Sequence, residues 1–267
     1  MNPPSTPKVK LARPVNPNAG VQAEYRQRLD KLIREMRDSV DYWIKLDYRR
    51  NESRIIAEDA SPANELRRRM NELSKRWLKQ FNQGAKKLAE WFADESLKSS
   101  DAALKKILRD AGVSVKFTMT EGMTDAWDAI RNENVQLIRS IGAQYLSDVE
   151  GLVQRSVTQG RDMGELTKQL TKRYGVTKDR AALIARDQNN KATSALTKRR
   201  QQDLGIKQGK WRHSHAGKQP RQSHVDADGK IFDIDKGMYI DGEWIMPGEK
   251  INCRCTWAPV IPGLEDM

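Results

Sequence analysis

The sequence predicts a mainly α chain, in which long amphipathic helices are followed by a small C-terminal α+β module with short antiparallel strands. Three observations carry that expectation. From Tyr25 to Leu204 apolar residues recur at three- and four-residue steps, the period of a helix with one buried face. After Gly205 that period is lost, and glycine, aromatic and β-favouring residues fill "KQGKWRH", "GKIFDID", "GMYIDGEWIMPG" and "CRCTWAPVI". All three histidines (His213, His215 and His224) and both cysteines (Cys253 and Cys255) lie in this last part of the 267-residue chain.

The elements follow in order. Residues 1–20 are rich in proline, asparagine and basic residues without periodicity, and read as a flexible arm. An N-terminal helical region, 21–119, opens with Tyr25, Leu29, Leu32, Ile33, Met36, Val40, Trp43 and Ile44 on one face. "DASPANEL" then marks a second helix, with Ser61 as N-cap and Pro62 at its first position. Its stripe is Leu66, Met70, Leu73, Trp77, Phe81, Ala85, Leu88 and Phe92. A separate short helix is expected near 100–111, closed by Gly112, and "VSVKFTMT" reads as a short strand or an extended connector. In the central helical region, 120–205, one long helix, or two nearly collinear ones, ends before Gly160. A second, about 163–174, stops at Gly175, and a third runs from about Thr177 to Leu204 with Gly205 as its stop. The module 206–267 should be built of short strands joined by turns such as Asp228-Gly229 and Asp241-Gly242.

Charge has an address. The chain carries +12, and between residues 171 and 212 twelve basic residues face only three acidic ones. An excess of this size suits a polyanion. The residues read as phosphate contacts are Lys178, Arg180, Arg186, Lys191, Lys198, Arg199, Arg200, Lys207 and Lys210. With no helix-turn-helix signature and no zinc-finger spacing, such contacts would go to the backbone of double-stranded DNA and ignore its sequence. A solvated helix face against an acidic protein is the plainer alternative. Two cysteines do not make a disulfide framework, the first residues lack a signal peptide's apolar core, and no stretch has the length and hydropathy of a membrane span. The expected compartment is a reducing cytoplasm or a particle assembled there.

The histidines and cysteines leave three readings open. Zinc takes thiolate and imidazole ligands, and His215, His224, Cys253 and Cys255 are the best set. The C-x-C spacing is not that of a zinc knuckle, and the cysteines are equally explained as small buried hydrophobes. Catalysis would pair Cys with His, or use Arg221 and His224 to activate a nucleophile and stabilise a phosphorane, as in a nuclease. Asp226 and Asp228 would then offer a divalent-ion site, although "DADG" is also what a tight reversal needs. No P-loop, dinucleotide fingerprint, H-E-x-x-H or nucleophile elbow is present.

The ordered set "ALIARDQNNKA", "LGI", Trp211, "HSHAGKQPRQSH", "DGKIFD", "MPGE" and "NCRC" resembles the C-terminal region of the phage Mu F-like minor head proteins, or phage head morphogenesis proteins. The resemblance runs from about Gln159 to Pro259 and rests on Trp211, Arg221, His224, Asp228, Gly229, Pro247, Asn252, Cys253, Arg254 and Cys255. The helices before it are similar, more weakly, to those that precede this region in tailed-phage and prophage relatives. Many relatives have an acidic residue followed by R-x-R-x-x-H, where this chain has "HSHAGKQPR". His213 and His215 therefore stand where the family varies, leaving His224, Cys253 and Cys255 as the more transferable trio. The resemblance implies a low-copy virion protein rather than an enzyme. It would be assembled in the host cytoplasm and carried in the head, at the portal vertex with portal and other head proteins. It would contact packaged DNA and serve head morphogenesis or genome ejection. Toxin-like domains accompany this region in some members, which keeps a nucleic-acid-processing enzyme as the alternative.

Overall fold

The computed structural model describes residues 13–52, 62–159, 162–217 and 219–261. Among these, four long helices precede the module: α1 (Ala19–Glu52), α2 (Pro62–Asp110), α3 (Glu121–Thr158) and α4 (Met163–Asp203). The module contains β1 (Gln208–Arg212), the short helix α5 (Gln222–Asp226), β2 (Ile231–Asp233), β3 (Met238–Ile240), β4 (Glu243–Ile245) and β5 (Thr256–Val260).

The helix starts are capped by side chains. Asn18 Oδ1 accepts the N–H groups of Gly20 and Val21 at 2.8 and 3.3 Å, Thr120 Oγ1 that of Met123, and Asp162 Oδ1 that of Glu165. The expected arm overlaps ordered chain, because α1 begins at Ala19 and Val15 is buried. The proposed cap Ser61 lies outside the described residues, while Pro62 does open α2.

Two expected breaks are absent. The helix near 100–111 is the end of α2, because buried Ser96 and Ser100 continue the apolar stripe between Phe92 and Leu104. Gly175 lies inside α4, where Leu166, Leu170, Thr177, Ala181 and Ile184 keep one face buried across it. Burial of that face outweighs the roughly 1 kcal/mol that a helical glycine costs relative to alanine. The true stops are at Gly112 and Gly205, both at positive φ. At each, the next residue's N–H reaches back to the carbonyl five residues earlier, Val113 to Leu108 and Ile206 to Gln201. Residues 113–120 form a connector that is neither helix nor strand.

The chain divides into two compact units that do not follow chain order. One holds residues 23–91 and 131–185 and is helical where described, apart from Gln159 and Asp162 between α3 and α4. Its core includes Tyr25, Ile33, Met70, Phe81, Ile138 and Tyr145. Tyr25 donates to Asn134 across α1 and α3 at 2.8 Å, Tyr48 donates to Ser156, and Arg69 of α2 pairs with Asp47 of α1. Gly142 brings α3 against the ring of Phe81, where a Cβ would come within 2.7 Å.

The other unit holds residues 1–22, 92–130 and 186–267. Its sheet has the order β2-β1-β5, antiparallel throughout, with Gln208 opposite Asp233 and Trp211 opposite Trp257. A second sheet is the β3–β4 hairpin, turned by Asp241 (φ 54°) and Gly242 (φ 87°) as the Asp-Gly pair predicts. Trp211, Phe232, Trp257, Ile234 and Ile245 form one core with Val15, Leu104 and Leu108.

Candidate site at the cysteine loop

α4 builds the site from behind. From Arg186 onward the helix buries Asp187, Gln188, Asn189, Asn190, Thr193, Ser194, Thr197 and Gln201. So many polar groups out of water require partners. Four of them reach the loop between β4 and β5 or β5 itself. Asp187 Oδ1 accepts the N–H of Asn252 at 2.8 Å, Asn190 Nδ2 donates to the carbonyl of Cys253 at 2.8 Å, and Ser194 Oγ donates to that of Pro247 at 2.7 Å. Gln201 Oε1 accepts the indole N–H of Trp257 on β5 at 2.7 Å. Arg186 adds a 2.8 Å bond to Asn252 Oδ1, and Asn252 itself turns the chain at φ 62°. This accounts physically for the "ARDQNN" stretch, whose side chains grip "NCRC".

The loop so held presents Cys253 and Cys255 to His224, which stands on α5. His224 Nδ1 is 3.5 Å from Cys253 Sγ and 3.7 Å from Cys255 Sγ, and the three donor atoms lie within 4.8 Å of one another. All three residues are buried, at 3%, 3% and 5% exposure. Trp211 packs edge-on against the imidazole with ring centres 5.4 Å apart. Gly248, at φ 86°, directs its N–H to Cys253 Sγ at 3.4 Å. The hydrogen bond between the two thiols pulls Cys253 down to about 5, helped by the N–H groups of Cys255 and Gly248 and by His224, while burial opposes. The same bond pushes Cys255 upward, as does burial.

The trio borders a cleft of about 370 Å³ that is also lined by Arg186, Arg221 and Arg254, with no carboxylate among the described residues of its wall. Its electrostatics favour thiolate and any anionic ligand.

Of the four ligands expected for zinc, three come together and the fourth does not. His215 is exposed, at φ 49°, with its Nε2 3.6 Å from Asp228 and its ring against His213. The runner-up catalytic pair is occupied otherwise. Arg221 donates to the carbonyl of Ile251 at 3.0 Å, and His224 faces two sulfurs. Asp226 accepts from Gln222, and Asp228 accepts the N–H of His213 at 2.9 Å. Gly229, at φ 79°, completes the turn by donating to the carbonyl of Trp211.

The nine residues read as phosphate contacts do not form a free face. Arg200 is 4% exposed and makes a bidentate pair with Asp101, 2.8 Å at each oxygen, and a third bond to the carbonyl of Thr118. Arg180 donates to Ser140, Arg186 to Asn252 and Lys198 to the carbonyl of Asp235. Lys191, Arg199 and Lys207 pair with Asp187, Asp203 and Asp235. Lys178 lies over the ring of Tyr174, and Lys210 is half-buried on β1.

The chain carries long helices and a small sheet, with a buried His-Cys-Cys cluster gripped by polar side chains of the last long helix. Residues 147–258 match the family described as phage Mu protein F like protein. An uncharacterized protein of Haemophilus influenzae is 27% identical over 260 residues, covering 96% of this chain and 56% of its own length. The uncharacterized protein YqbB of Bacillus subtilis is 23% identical over 193 residues, 68% of this chain and 62% of that protein. The NAD(+)–arginine ADP-ribosyltransferase EFV of Enterococcus faecalis is 26% identical over 117 residues, 40% of this chain and 24% of the enzyme. The chain thus spans about three fifths of the length of the first two relatives. No solved structure matches it. Among the described residues no helix is long and apolar enough to cross a membrane.

Proposed function

We propose that the protein is a minor structural component of a tailed-phage head, acting in head morphogenesis at the portal vertex with other head proteins, and that it catalyses no reaction. It would assemble in the host cytoplasm and travel in the head. The observation that carries this reading is the match of residues 147–258, which takes in both the cysteine loop and the α4 side chains that hold it. Arg221 and His224 are both engaged within the protein, which supports architecture over catalysis. The transferase activity named for the Enterococcus relative belongs to a protein of which the match covers 24%, and forms no part of the proposal.

Contact with packaged DNA is part of the same proposal, and the surface that supports it is on α2. Arg68, Lys75, Lys79 and Lys86 are spaced by seven, four and seven residues, so they line one exposed face, with Arg76 and Lys87 beside them. None of these six makes an ion pair among the described residues, and the one acid in their midst, Glu72, is paired with Arg69. The stripe runs for roughly 27 Å along the axis at 1.5 Å per residue.

The head role is tested by mass spectrometry of purified heads, together with electron microscopy of a deletion strain. A few copies per head and defective heads on deletion are expected. Heads that lack the protein and assemble normally without it would overturn the reading. The DNA contact is tested by a gel shift with unrelated duplexes over a salt series. Replacing Lys75, Lys79 and Lys86 by Gln should reduce the log–log salt slope by about three, near 0.9 for each phosphate that a lysine no longer neutralises. An unchanged slope would remove α2 from DNA, and cleavage of the duplex would restore the enzyme reading.

A further inference from the structure

We propose that His224 Nδ1, Cys253 Sγ and Cys255 Sγ bind one zinc ion, with the fourth coordination position opening on the arginine-lined cleft. The site is independent of any role in a phage head and rests on geometry alone.

Zinc bonded to sulfur at about 2.3 Å and to imidazole nitrogen at about 2.05 Å, with tetrahedral angles, sets the S···N edge at roughly 3.6 Å. The two edges present are 3.5 and 3.7 Å. Both converge on the same ring nitrogen, as two S···N edges of a tetrahedron do, and the three donor atoms lie within 4.8 Å of one another. Thiols buried as small hydrophobes would not require an imidazole turned toward both sulfurs in a pocket walled by Trp211.

Charge balance agrees. Two thiolates and a neutral imidazole neutralise Zn²⁺, which removes the cost of holding a charge at a site buried among Trp211, Phe232 and Trp257. Binding releases the proton that remains on the thiol pair to solvent through the cleft and leaves the oxidation states unchanged. The ligands come from two segments twenty-nine residues apart, α5 and the loop before β5, so the ion would tie the two together. The loop ligands are held from behind by Asn190 and Asp187, and Gly248 donates to the Cys253 sulfur, as outer partners do in built metal sites. Arg186, Arg221 and Arg254 line the cleft with the trio, and among the described residues no acidic side chain joins them. Water fills the fourth position in the free protein, and the arginines make an anion its preferred replacement.

The test is elemental analysis of the full chain purified without chelator, with cobalt(II) replacement as a second readout. One zinc per chain is expected, falling to near zero in the Cys253→Ser, Cys255→Ser double variant. If that variant fails to fold, the wild-type chain decides alone. Cobalt should give intense visible bands of tetrahedral coordination together with a thiolate charge-transfer band. Folded wild-type protein without metal that takes up neither zinc nor cobalt overturns the proposal. So does weak octahedral cobalt without the sulfur band, or a Cys253–Cys255 disulfide found by mass spectrometry under reducing purification.

Discussion

Asn190 of α4 donates its side-chain amide to the carbonyl of Cys253, 2.8 Å away and 63 residues later in the chain, with both residues buried. The bond fixes the loop at the one residue whose sulfur sits 3.5 Å from His224. Removing a buried donor leaves the carbonyl without a partner, at a cost of about 1–3 kcal/mol. Asn190→Ala should lose that much stability in urea unfolding and should speed alkylation of Cys253 in the folded protein. Unaltered labelling would mean that the loop is held by Asp187 and Ser194 without it.

The cysteine loop also shows what the residues disclosed and what they concealed. His224, Cys253 and Cys255 were legible as a candidate cluster because their types are rare in the chain and fall together. Asp241-Gly242 was legible because two consecutive positive φ angles demand such a pair. The part played by Asp187, Asn190 and Ser194 was not, since they sit inside a long helix where polar residues read as solvated. Their dense run from 187 to 201 was the available signal, being too polar for a helix that also carries Ala192 and Leu196. For the same reason the basic residues of α4 read as a surface. Charge counted along the chain ignores pairing across it, and Arg200 is taken by Asp101, 99 residues away. The free basic stripe on α2 was passed over because its excess is spread along a longer helix.

Arg200 gives the sharpest check on that distinction. Its guanidinium is almost fully buried and bonded to both oxygens of Asp101. Truncating one partner of a buried pair costs about 3–5 kcal/mol, whereas replacing both by apolar residues can be close to neutral. Arg200→Ala should therefore be strongly destabilising by denaturant unfolding. Arg200→Met with Asp101→Leu should recover most of the loss, and DNA affinity of that folded pair variant should match the wild type. A drop in affinity at full stability would return Arg200 to the phosphate-contacting set.

Gly248 sits where a side chain is disfavoured twice. Its φ is 86°, and a Cβ would lie 3.3 Å from the carbonyl oxygen of Cys255 and 3.4 Å from that of Asn190. An L-residue in the left-handed region costs roughly 1–2 kcal/mol before any displacement. Gly248→Ala should be destabilised by at least that amount and should bind zinc more weakly, since the N–H given to Cys253 Sγ would shift with the loop. Competition with a coloured chelator measures the second effect, and wild-type zinc affinity in a destabilised variant would show that the two are separable.

The turn before β2 carries a pH signature. The N–H of His213 donates to Asp228 and holds its carboxyl below the usual carboxylate range, against the opposing effect of burial, with His215, Arg212 and His213 adding to the depression. A carboxylate depressed in the folded state contributes stability that is complete above its ordinary pKa near 3.9 and is lost as pH falls through the lower folded value. The group is partly exposed, so the contribution is small, about 0.5 kcal/mol at the low end for one hydrogen bond. Asp228→Asn keeps an acceptor in the same place but cannot ionise. Urea unfolding should place it about 0.5 kcal/mol below the wild type from pH 7 down to about 5, with the two curves converging below about 4. A difference that persists unchanged in acid would mean that Asp228 stabilises the turn by its shape and not by its charge.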